Sequence, residues 1–190
     1  MNGYGLGDTV KIAINLIYTR IFWKNARLVR RPILARNKKN IHISEGFTCG
    51  TLCRLNADEN GSITIGRNFV MGDQCQIEAM NEVVIGEDVL FASRVYIGDA
   101  THGEYKGADQ ADPKEAPNKR KVTAEPIHIG DRVWIGNGVA VLGGVTIGDG
   151  AVIGANAVVT SNIPSDSIAA GCPARVIKKY NEESRSWEAV

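Results

Sequence analysis

The sequence predicts an all-β fold, a parallel β-helix built from hexapeptide repeats, on three observations. An apolar residue recurs every six positions along most of residues 41–162. The residue that follows it is glycine in 9 of 15 cases. A period of six fits neither a helix nor a hairpin, but it fits short flat strands joined by tight turns. The repeat positions are Ile43, Cys49, Leu55, Ile65, Met71, Ile77, Ile85, Phe91, Ile97, Ile129, Ile135, Val141, Ile147, Ile153 and Val159.

Three hexapeptides make one triangular coil, so the repeat predicts about five coils stacked about 4.8 Å apart. These coils are residues 41–56, 63–78, 83–98, 127–144 and 145–162. The alternative is a β-sandwich of short strands, which does not keep a strict six-residue spacing.

The two ends of such a helix expose unpaired strand edges and need caps. We therefore divide the chain into a basic helical arm over residues 1–40, a β-helix domain over 41–176 and a short helical tail over 177–190. Within residues 9–29, apolar side chains recur at helical spacing. Those on the predicted face are Val10, Ala13, Ile14, Ile17, Ile21 and Leu28.

The net charge of +1 hides a strong asymmetry. Residues 1–40 hold nine bases and one acid, a net charge of +8, and the remaining residues carry −7. One interpretation is a helix packed on the open end of the coils with its cations in solvent. The other is peripheral membrane contact through residues 9–39, because Phe22 and Trp23 followed by arginines are typical of an interfacial helix. Nucleic acid is disfavoured, because the bases are not interleaved with an aromatic stacking platform.

We expect a cytoplasmic protein with reduced thiols, with the arm as the element that would bring it to the inner face of the membrane. The first residues do not resemble a signal peptide, and no apolar run approaches the length of a membrane span. Four cysteines do not make a disulfide scaffold, and Cys49, Cys53 and Cys75 fall on inward positions as small core residues.

The repeat stops at residues 99–126, a polar loop of 28 residues. A loop this long inside a compact domain is usually functional or disordered. His102 lies at its root, three residues after Asp99. The Asp99 carboxylate could orient the imidazole or cap a turn, so we leave it out of the predicted site.

These features resemble the left-handed β-helix O-acetyltransferases, in particular the capsule and lipopolysaccharide and the galactoside and maltose acetyltransferases. The resemblance covers about residues 41–180, with the loop His102, the segment 126–136 and the tail Ala-Gly-Cys-Pro-Ala-Arg at 170–175. Part of that subgroup has Asp-His-x-His-Gly in the loop. Here Ala100 replaces the first histidine, so only His102 matches the family's base.

The resemblance implies direct transfer of acetyl from acetyl-CoA to a sugar hydroxyl in surface polysaccharide synthesis, with His102 as general base. It also implies a homotrimer with the site in the cleft between subunits. It carries over backbone contacts along the pantetheine arm and two cations for the nucleotide phosphates. The alternative for the two cations is an ordinary solvated tail. These positions are Asn137, Ala155, Thr160 and Ser161 for the arm, and Arg175 and Lys178 for the phosphates.

The family's acceptor-site carboxylate and amide do not match this sequence cleanly. Asp73 and Asn81 are the nearest candidates. Trp134 precedes an inward residue and should point outward, either into the cleft between subunits or over an exposed face.

The enzyme alternative is N-acetylation of an amino group on a nucleotide-linked sugar, and the non-enzyme alternative is a β-helix scaffold that has lost activity. Carbonic anhydrases on the same scaffold bind zinc through three histidines on neighbouring coils. This chain has only His42, His102 and His128, without a second histidine shortly after His102, so we expect no metal.

Overall fold

The computed structural model describes residues 5–190 and shows a parallel β-helix, which confirms the predicted fold class. Two 3₁₀ turns lie at Lys38–Asn40 and Pro117–Lys119. The helix and strands, in chain order, are α1 (Leu6–Phe22), β1 (Ala26–Val29), β2 (Ile33–Arg36), β3 (Ile41–Ile43), β4 (Phe47–Cys49), β5 (Cys53–Ala57), β6 (Ser62–Ile65), β7 (Val70–Met71), β8 (Gln76–Ala79), β9 (Glu82–Ile85), β10 (Leu90–Phe91), β11 (Tyr96–Gly98), β12 (Ala100–His102), β13 (Val122–Ala124), β14 (Ile127–Ile129), β15 (Trp134–Ile135), β16 (Ala140–Leu142), β17 (Thr146–Ile147), β18 (Val152–Ile153), β19 (Val158–Val159), β20 (Ser167–Ala170), β21 (Arg175–Asn181) and β22 (Ser186–Ala189).

All strands except β12 and β13, which pair only with each other, form three sheets that run along the three sides of the coils. The first sheet has the order β1-β4-β7-β10-β15-β18-β20-β21-β22, the second β2-β5-β8-β11-β16-β19 and the third β3-β6-β9-β14-β17. Pairing keeps the repeat positions in register, so that Ile97 of β11 pairs with Ile77 of β8 and Val141 of β16. The stack passes through the 99–126 interruption without losing this register.

The repeat positions form the inward ladder of the interior, together with the apolar residues that precede many of them by two places. All repeat positions except the partly buried Ile43 are buried. Cys49, Cys53 and Cys75 are buried too, as predicted. Hydrogen bonding with Cys53, and then burial, raise the pKa of Cys49 and of Cys75, so both stay protonated and behave as small core residues.

The β-helix begins earlier than predicted. Strands β1 and β2 lie in the predicted helical arm, and they pair in parallel with β4 and β5. The helix predicted over residues 9–29 is therefore wrong beyond Phe22, and Leu28 lies in a strand. The reason is the spacing, because Val29 and Ala35 are six residues apart and pair with repeat positions of β4 and β5, whose edges would otherwise be open.

Trp23 closes the N-terminal end of the coils. Its side chain is buried and stacks on Phe47 at 6.2 Å, at the head of an interior column that continues through Phe69 and Phe91. The Lys38 ammonium lies 4.0 Å from the indole centroid, and burial lowers the pKa of Lys38. The prediction that Trp23 faces a lipid surface is therefore wrong.

Helix α1 turns its apolar side away from the β-helix. Its buried residue is Thr19, whose hydroxyl accepts a hydrogen bond from the Val29 N–H at 2.8 Å. On the opposite side, five large apolar side chains are 47–90% exposed and share one helical face. We call them the apolar stripe: Leu6, Val10, Ile14, Ile17 and Ile21. The stripe does not pack on the open end of the coils, and within residues 5–190 no helix combines the length and apolarity needed to cross a bilayer.

The C-terminal end is a β-hairpin, so the prediction of a helical tail over 177–190 is wrong. β21 pairs antiparallel with the edge of β20, and β22 returns along β21. The exposed edge of β20 demands a backbone partner, which a helix would not provide. The turn is held by the Asn181 side chain, which accepts from the Glu183 N–H at 2.9 Å. Tyr180 and Trp187 form a cross-strand aromatic pair at 5.3 Å.

We expect Ile65→Ala to lower the free energy of unfolding by about 2–5 kcal/mol, because it opens a cavity in the interior of the coils. The measurement is urea unfolding at a fixed protein concentration. The matched control is Thr64→Ala on the same strand, where the side chain is exposed, with an expected change of about 0.5 kcal/mol or less. Equal losses for the two variants would contradict the assignment of inward and outward faces.

Candidate active site

The interruption at residues 99–126 is a folded loop that stands out between the second and third sheets. At its root β12 and β13 pair antiparallel, with His102 opposite Val122. Further out, the Arg120 guanidinium donates to the Tyr105 hydroxyl at 2.8 Å, and that hydroxyl donates to the His102 carbonyl at 2.7 Å. The backbone that carries His102 is therefore braced from both sides.

Asp99 caps a turn. It is 2% exposed, and its carboxylate accepts backbone N–H bonds from Met80 at 2.8 Å, Asn81 at 2.8 Å and Glu82 at 2.9 Å. These three donors occupy both carboxylate oxygens, so of the two roles left open by the sequence the structure shows the capping one. Asp99 therefore holds the loop root and does not orient the imidazole of His102.

The imidazole of His102 is exposed, and it makes no hydrogen bond with any other residue that the structure describes. Successive residues of a strand point to opposite faces, so Thr101 and His102 lie on opposite faces of the loop root. Each of them lines a different cavity.

The polarity of the outward residues of the second sheet changes at the point where the loop is inserted. On β5, β8 and β11, N-terminal to the loop, the outward side chains are polar or charged: Arg54, Asn56, Gln76, Glu78 and Tyr96. On the first strand of the sheet, β2, the outward pair is the charged Arg36 and the apolar Leu34. C-terminal to it, the outward strand residues are apolar: Ala140, Leu142 and Val158. The register of the parallel strands stacks these residues into columns.

Two cavities follow from this division. The polar cavity, about 470 Å³, is lined by Arg36, Asn56, Glu78, Tyr96 and His102 among others. The second cavity, about 300 Å³, is called the apolar cavity because most of its surface is apolar. It is lined by Thr101, Thr123, Leu142, Gly143 and Thr160, together with the charged Glu104, Lys106 and Glu125. The two cavities share Gly98, Asp99 and Ala100, and so they meet at the loop root.

The residues predicted to contact the cofactor fall in three places. Thr160 lines the apolar cavity, and Ser161 follows it at the same corner. Asn137 and Ala155 lie at the corner between the first and second sheets, on successive coils. Arg175 and Lys178 are exposed on β21, at the C-terminal end of the first sheet. Within one chain, only Thr160 shares a cavity wall with the loop root.

The predicted acceptor-site residues are not gathered around His102 within one chain. Asp73 braces a turn, since its Oδ1 accepts from the Thr51 N–H at 2.7 Å. Asn81 lies beside the loop root and donates from Nδ2 to the Ala124 carbonyl at 3.5 Å. Trp134 points outward from the first sheet and is 51% exposed, as the repeat predicts.

Sequence reasoning missed the residues of the polar cavity. Asn56, Glu78 and Tyr96 occupy outward positions of the repeat, where neither periodicity nor a motif singles them out. Their one signal was the register, which places residues about twenty positions apart on neighbouring rungs.

The described part of the chain contains no arrangement of side chains suited to bind a metal ion. No group of three or more His, Cys, Asp or Glu side chains within residues 5–190 is arranged to hold an ion. His128 is exposed on the third sheet, with its Nε2 3.9 Å from a Glu82 carboxylate oxygen.

Sequence comparison finds matches along nearly the whole chain. The sequence model of the bacterial transferase hexapeptide family (six repeats) matches residues 126–161. A protein of Escherichia coli (strain K12), described as the putative lipopolysaccharide biosynthesis O-acetyl transferase WbbJ, is 40% identical over 186 residues. That alignment covers 97% of this chain and 95% of the relative.

Solved structures show the same architecture. A maltose O-acetyltransferase from Clostridium difficile 630 aligns with a TM-score of 0.56 at 30% identity, covering 92% of this chain and 88% of that one. A galactoside acetyltransferase in complex with coenzyme A aligns with a TM-score of 0.58 at 27% identity, covering 97% and 88%.

We expect Asp99→Asn to lower the free energy of unfolding by about 1–3 kcal/mol and to speed proteolytic cleavage within residues 103–121. The amide retains one oxygen and turns an N–H₂ group toward backbone donors, so buried N–H groups lose their partners. Urea unfolding and limited proteolysis measure the two effects.

The matched control is Asp109→Asn, an exposed carboxylate in the same loop. If Asp99→Asn unfolds and is cleaved like this control, the capping role of Asp99 is refuted.

Proposed function

The chain belongs to the hexapeptide-repeat acetyltransferases, and we propose that it transfers acetyl from acetyl-CoA to a sugar hydroxyl during synthesis of a surface polysaccharide. The observation that carries the proposal is the meeting of a polar and an apolar cavity at the loop that bears His102. The E. coli relative named for lipopolysaccharide biosynthesis supports the class of acceptor.

His102 acts as the general base in this proposal. An alcohol is a weak nucleophile at neutral pH, so the neutral imidazole takes its proton as the oxygen attacks the thioester carbonyl. A C–O bond forms, the C–S bond breaks, and the proton passes from the imidazole to the departing CoA thiolate. No covalent intermediate on the enzyme is required.

The oxyanion of the tetrahedral intermediate needs fixed hydrogen-bond donors. We assign this role to backbone N–H groups of the corner turns that line the apolar cavity, at Gly143 and Thr160. Backbone donors suit the task because the stacked coils hold them in place before the reaction begins.

The C-terminal half of the second sheet takes the acetyl-CoA. Its outward apolar residues Ala140, Leu142 and Val158 offer contact to the pantetheine arm, and we assign the polar contacts to the corner residues on either side. Exposed cations at the C-terminal end suit the nucleotide phosphates. The assigned contacts are Asn137, Ala155, Thr160 and Ser161 for the arm, and Arg175 and Lys178 for the phosphates.

We further propose a homotrimer with its sites in the clefts between subunits. Leu90 and Trp134 are in register on the outer face of the first sheet, 45% and 51% exposed, and this apolar pair favours burial against a second copy. A cleft of this kind would bring Trp134 and Asp73 of one subunit to the site of the next, while Asn81 serves the site of its own chain.

We expect His102→Ala to lower turnover by about 10²–10⁴-fold, because the attacking hydroxyl loses its base. Affinity for acetyl-CoA should stay nearly unchanged, since the imidazole is assigned no cofactor contact. A thiol-release assay with sugars, nucleotide sugars and amino sugars gives the turnover, and calorimetry gives the affinity.

His128→Ala, an exposed histidine on another sheet, is the matched control and should retain full turnover. Equal turnover of His102→Ala and wild type would refute the base assignment. Transfer to amines but not to hydroxyls would establish the N-acetyltransferase alternative.

The N-terminal arm supports a location at the inner face of the membrane. The apolar stripe of α1 is exposed, and residues 1–40 carry a net charge of +8. An apolar helical face beside an excess of cations is the combination that binds anionic lipid surfaces. A second copy's acidic body would match the charge but not the apolar stripe.

We expect the full chain to bind vesicles that contain phosphatidylglycerol, to bind neutral phosphatidylcholine vesicles at least tenfold more weakly, and to lose binding as salt rises. Ile17→Asp should abolish binding by placing a charge in the stripe. Co-sedimentation with the vesicles measures the binding. The control is Leu52→Ser, which changes an exposed apolar residue outside the stripe and should leave binding unchanged. Equal binding to both vesicle types, or an Ile17→Asp variant that changes only the oligomeric state, would refute lipid contact.

A further inference from the structure

We propose that Glu78, Tyr96 and Asn56 form the acceptor subsite and that this subsite selects an uncharged, hydroxyl-rich sugar ring. The inference rests on the proposed function, because it takes acetyl transfer to a sugar as its starting point. All three side chains project from the second sheet into the polar cavity that His102 also lines.

Glu78 is held in place and keeps one oxygen available. Its Oε1 accepts from Asn56 Nδ2 at 3.0 Å and from Gln76 Nε2 at 2.6 Å, while no side chain within residues 5–190 donates to its Oε2. A fixed carboxylate oxygen facing a cavity is a strong acceptor for a ligand hydroxyl, because a charge-assisted hydrogen bond is about twice as strong as a neutral one.

Tyr96 supplies the complementary donor. Its hydroxyl lies against Gly98, where a Cβ would overlap it, so glycine at that position lets the ring lie flat along the sheet. Burial, then the negative charge of Glu78 and the approach of the Tyr96 hydroxyl to that carboxylate, raise the pKa of Tyr96. The phenol therefore stays protonated at neutral pH and can donate to a sugar oxygen, which would take this donor from Glu78.

Asn56 adds a second acceptor. Its Nδ2 donates to Glu78, whereas its Oδ1 is buried and has no partner among the described residues. A buried carbonyl without a donor is costly, and a ligand hydroxyl reaching it would recover that cost. Two acceptors and one donor on neighbouring rungs match a sugar ring, since each hydroxyl both donates and accepts.

The charged residues that line the polar cavity disfavour binding of a sugar that carries a carboxylate. Arg36 and Asp58 both line it and have opposite signs, and Glu78 adds a further negative charge. A uronic acid would bring a second carboxylate against Glu78, and like charges at short range are unfavourable. The subsite therefore accepts neutral sugars and rejects sugar acids.

The test is Glu78→Gln, which keeps the shape and the contacts of Oε1 while removing the charge. For a neutral hexose acceptor we expect KM to rise about tenfold or more, with little change in kcat or in KM for acetyl-CoA. For the matching uronic acid, kcat/KM relative to the hexose should rise at least tenfold over wild type. Tyr96→Phe, the second variant, should raise KM for the hexose without improving the uronic acid.

The matched control is Glu45→Gln, an exposed carboxylate at another corner of the coils, which should leave all these constants unchanged. An unchanged hexose-to-uronate ratio in Glu78→Gln, or a change confined to its oligomeric state, would overturn the subsite while leaving the acetyltransferase proposal standing. A wild-type protein that acetylates no sugar would overturn the proposed function and the subsite with it.

Discussion

Direct stacking of one coil on the next is the constraint on which the rest of this structure depends. Strands of neighbouring coils lie about 4.8 Å apart, so every inward side chain contacts its counterparts above and below. Ile77, Ile97 and Val141 form one such column without a break, although the loop is inserted between the last two. Because this stacking fixes the interior side chains, the side chains that can face a ligand are those of the outward columns and the corners.

The same stacking builds the site from residues that are distant in sequence. Asn56 and Glu78 are paired across β5 and β8, and the register continues to Gly98 of β11. From β5 onward, both outward columns of the second sheet thus change from polar to apolar residues, and the change falls where Asp99 ties the loop root to the turn below it. The loop can therefore project far from the body while its root, with His102, keeps a defined position.

Sequence alone predicts what periodicity encodes. The buried ladder, the interruption and His102 at its root follow from a six-residue spacing that can be counted. The first coil was missed because Val29 and Ala35 lie in a basic segment and because Ala35 precedes Ile43 by eight residues instead of six. The charged residues of the C-terminal segment favoured the prediction of a helix there. The segment forms a hairpin instead, because the edge of β20 needs a backbone partner. Outward residues such as Glu78 do not contribute to the apolar repeat. Which of them are neighbours is known only from the register of the strands in the structure.

The commitment of Asp99 to backbone donors has a consequence for catalysis. A general base must present the correct ring nitrogen, and in many enzymes a carboxylate sets that tautomer by accepting a hydrogen bond from the other one. Asp99 does not do so in this structure, because its carboxylate accepts three N–H groups of the turn at Met80–Glu82, and no other described residue bonds to the imidazole. The partner that orients His102 must then come from the substrates or from a neighbouring subunit. In the proposed trimer the substrates and the neighbouring subunit meet in the same cleft. His102 would therefore be oriented as a base only when the complete site is assembled.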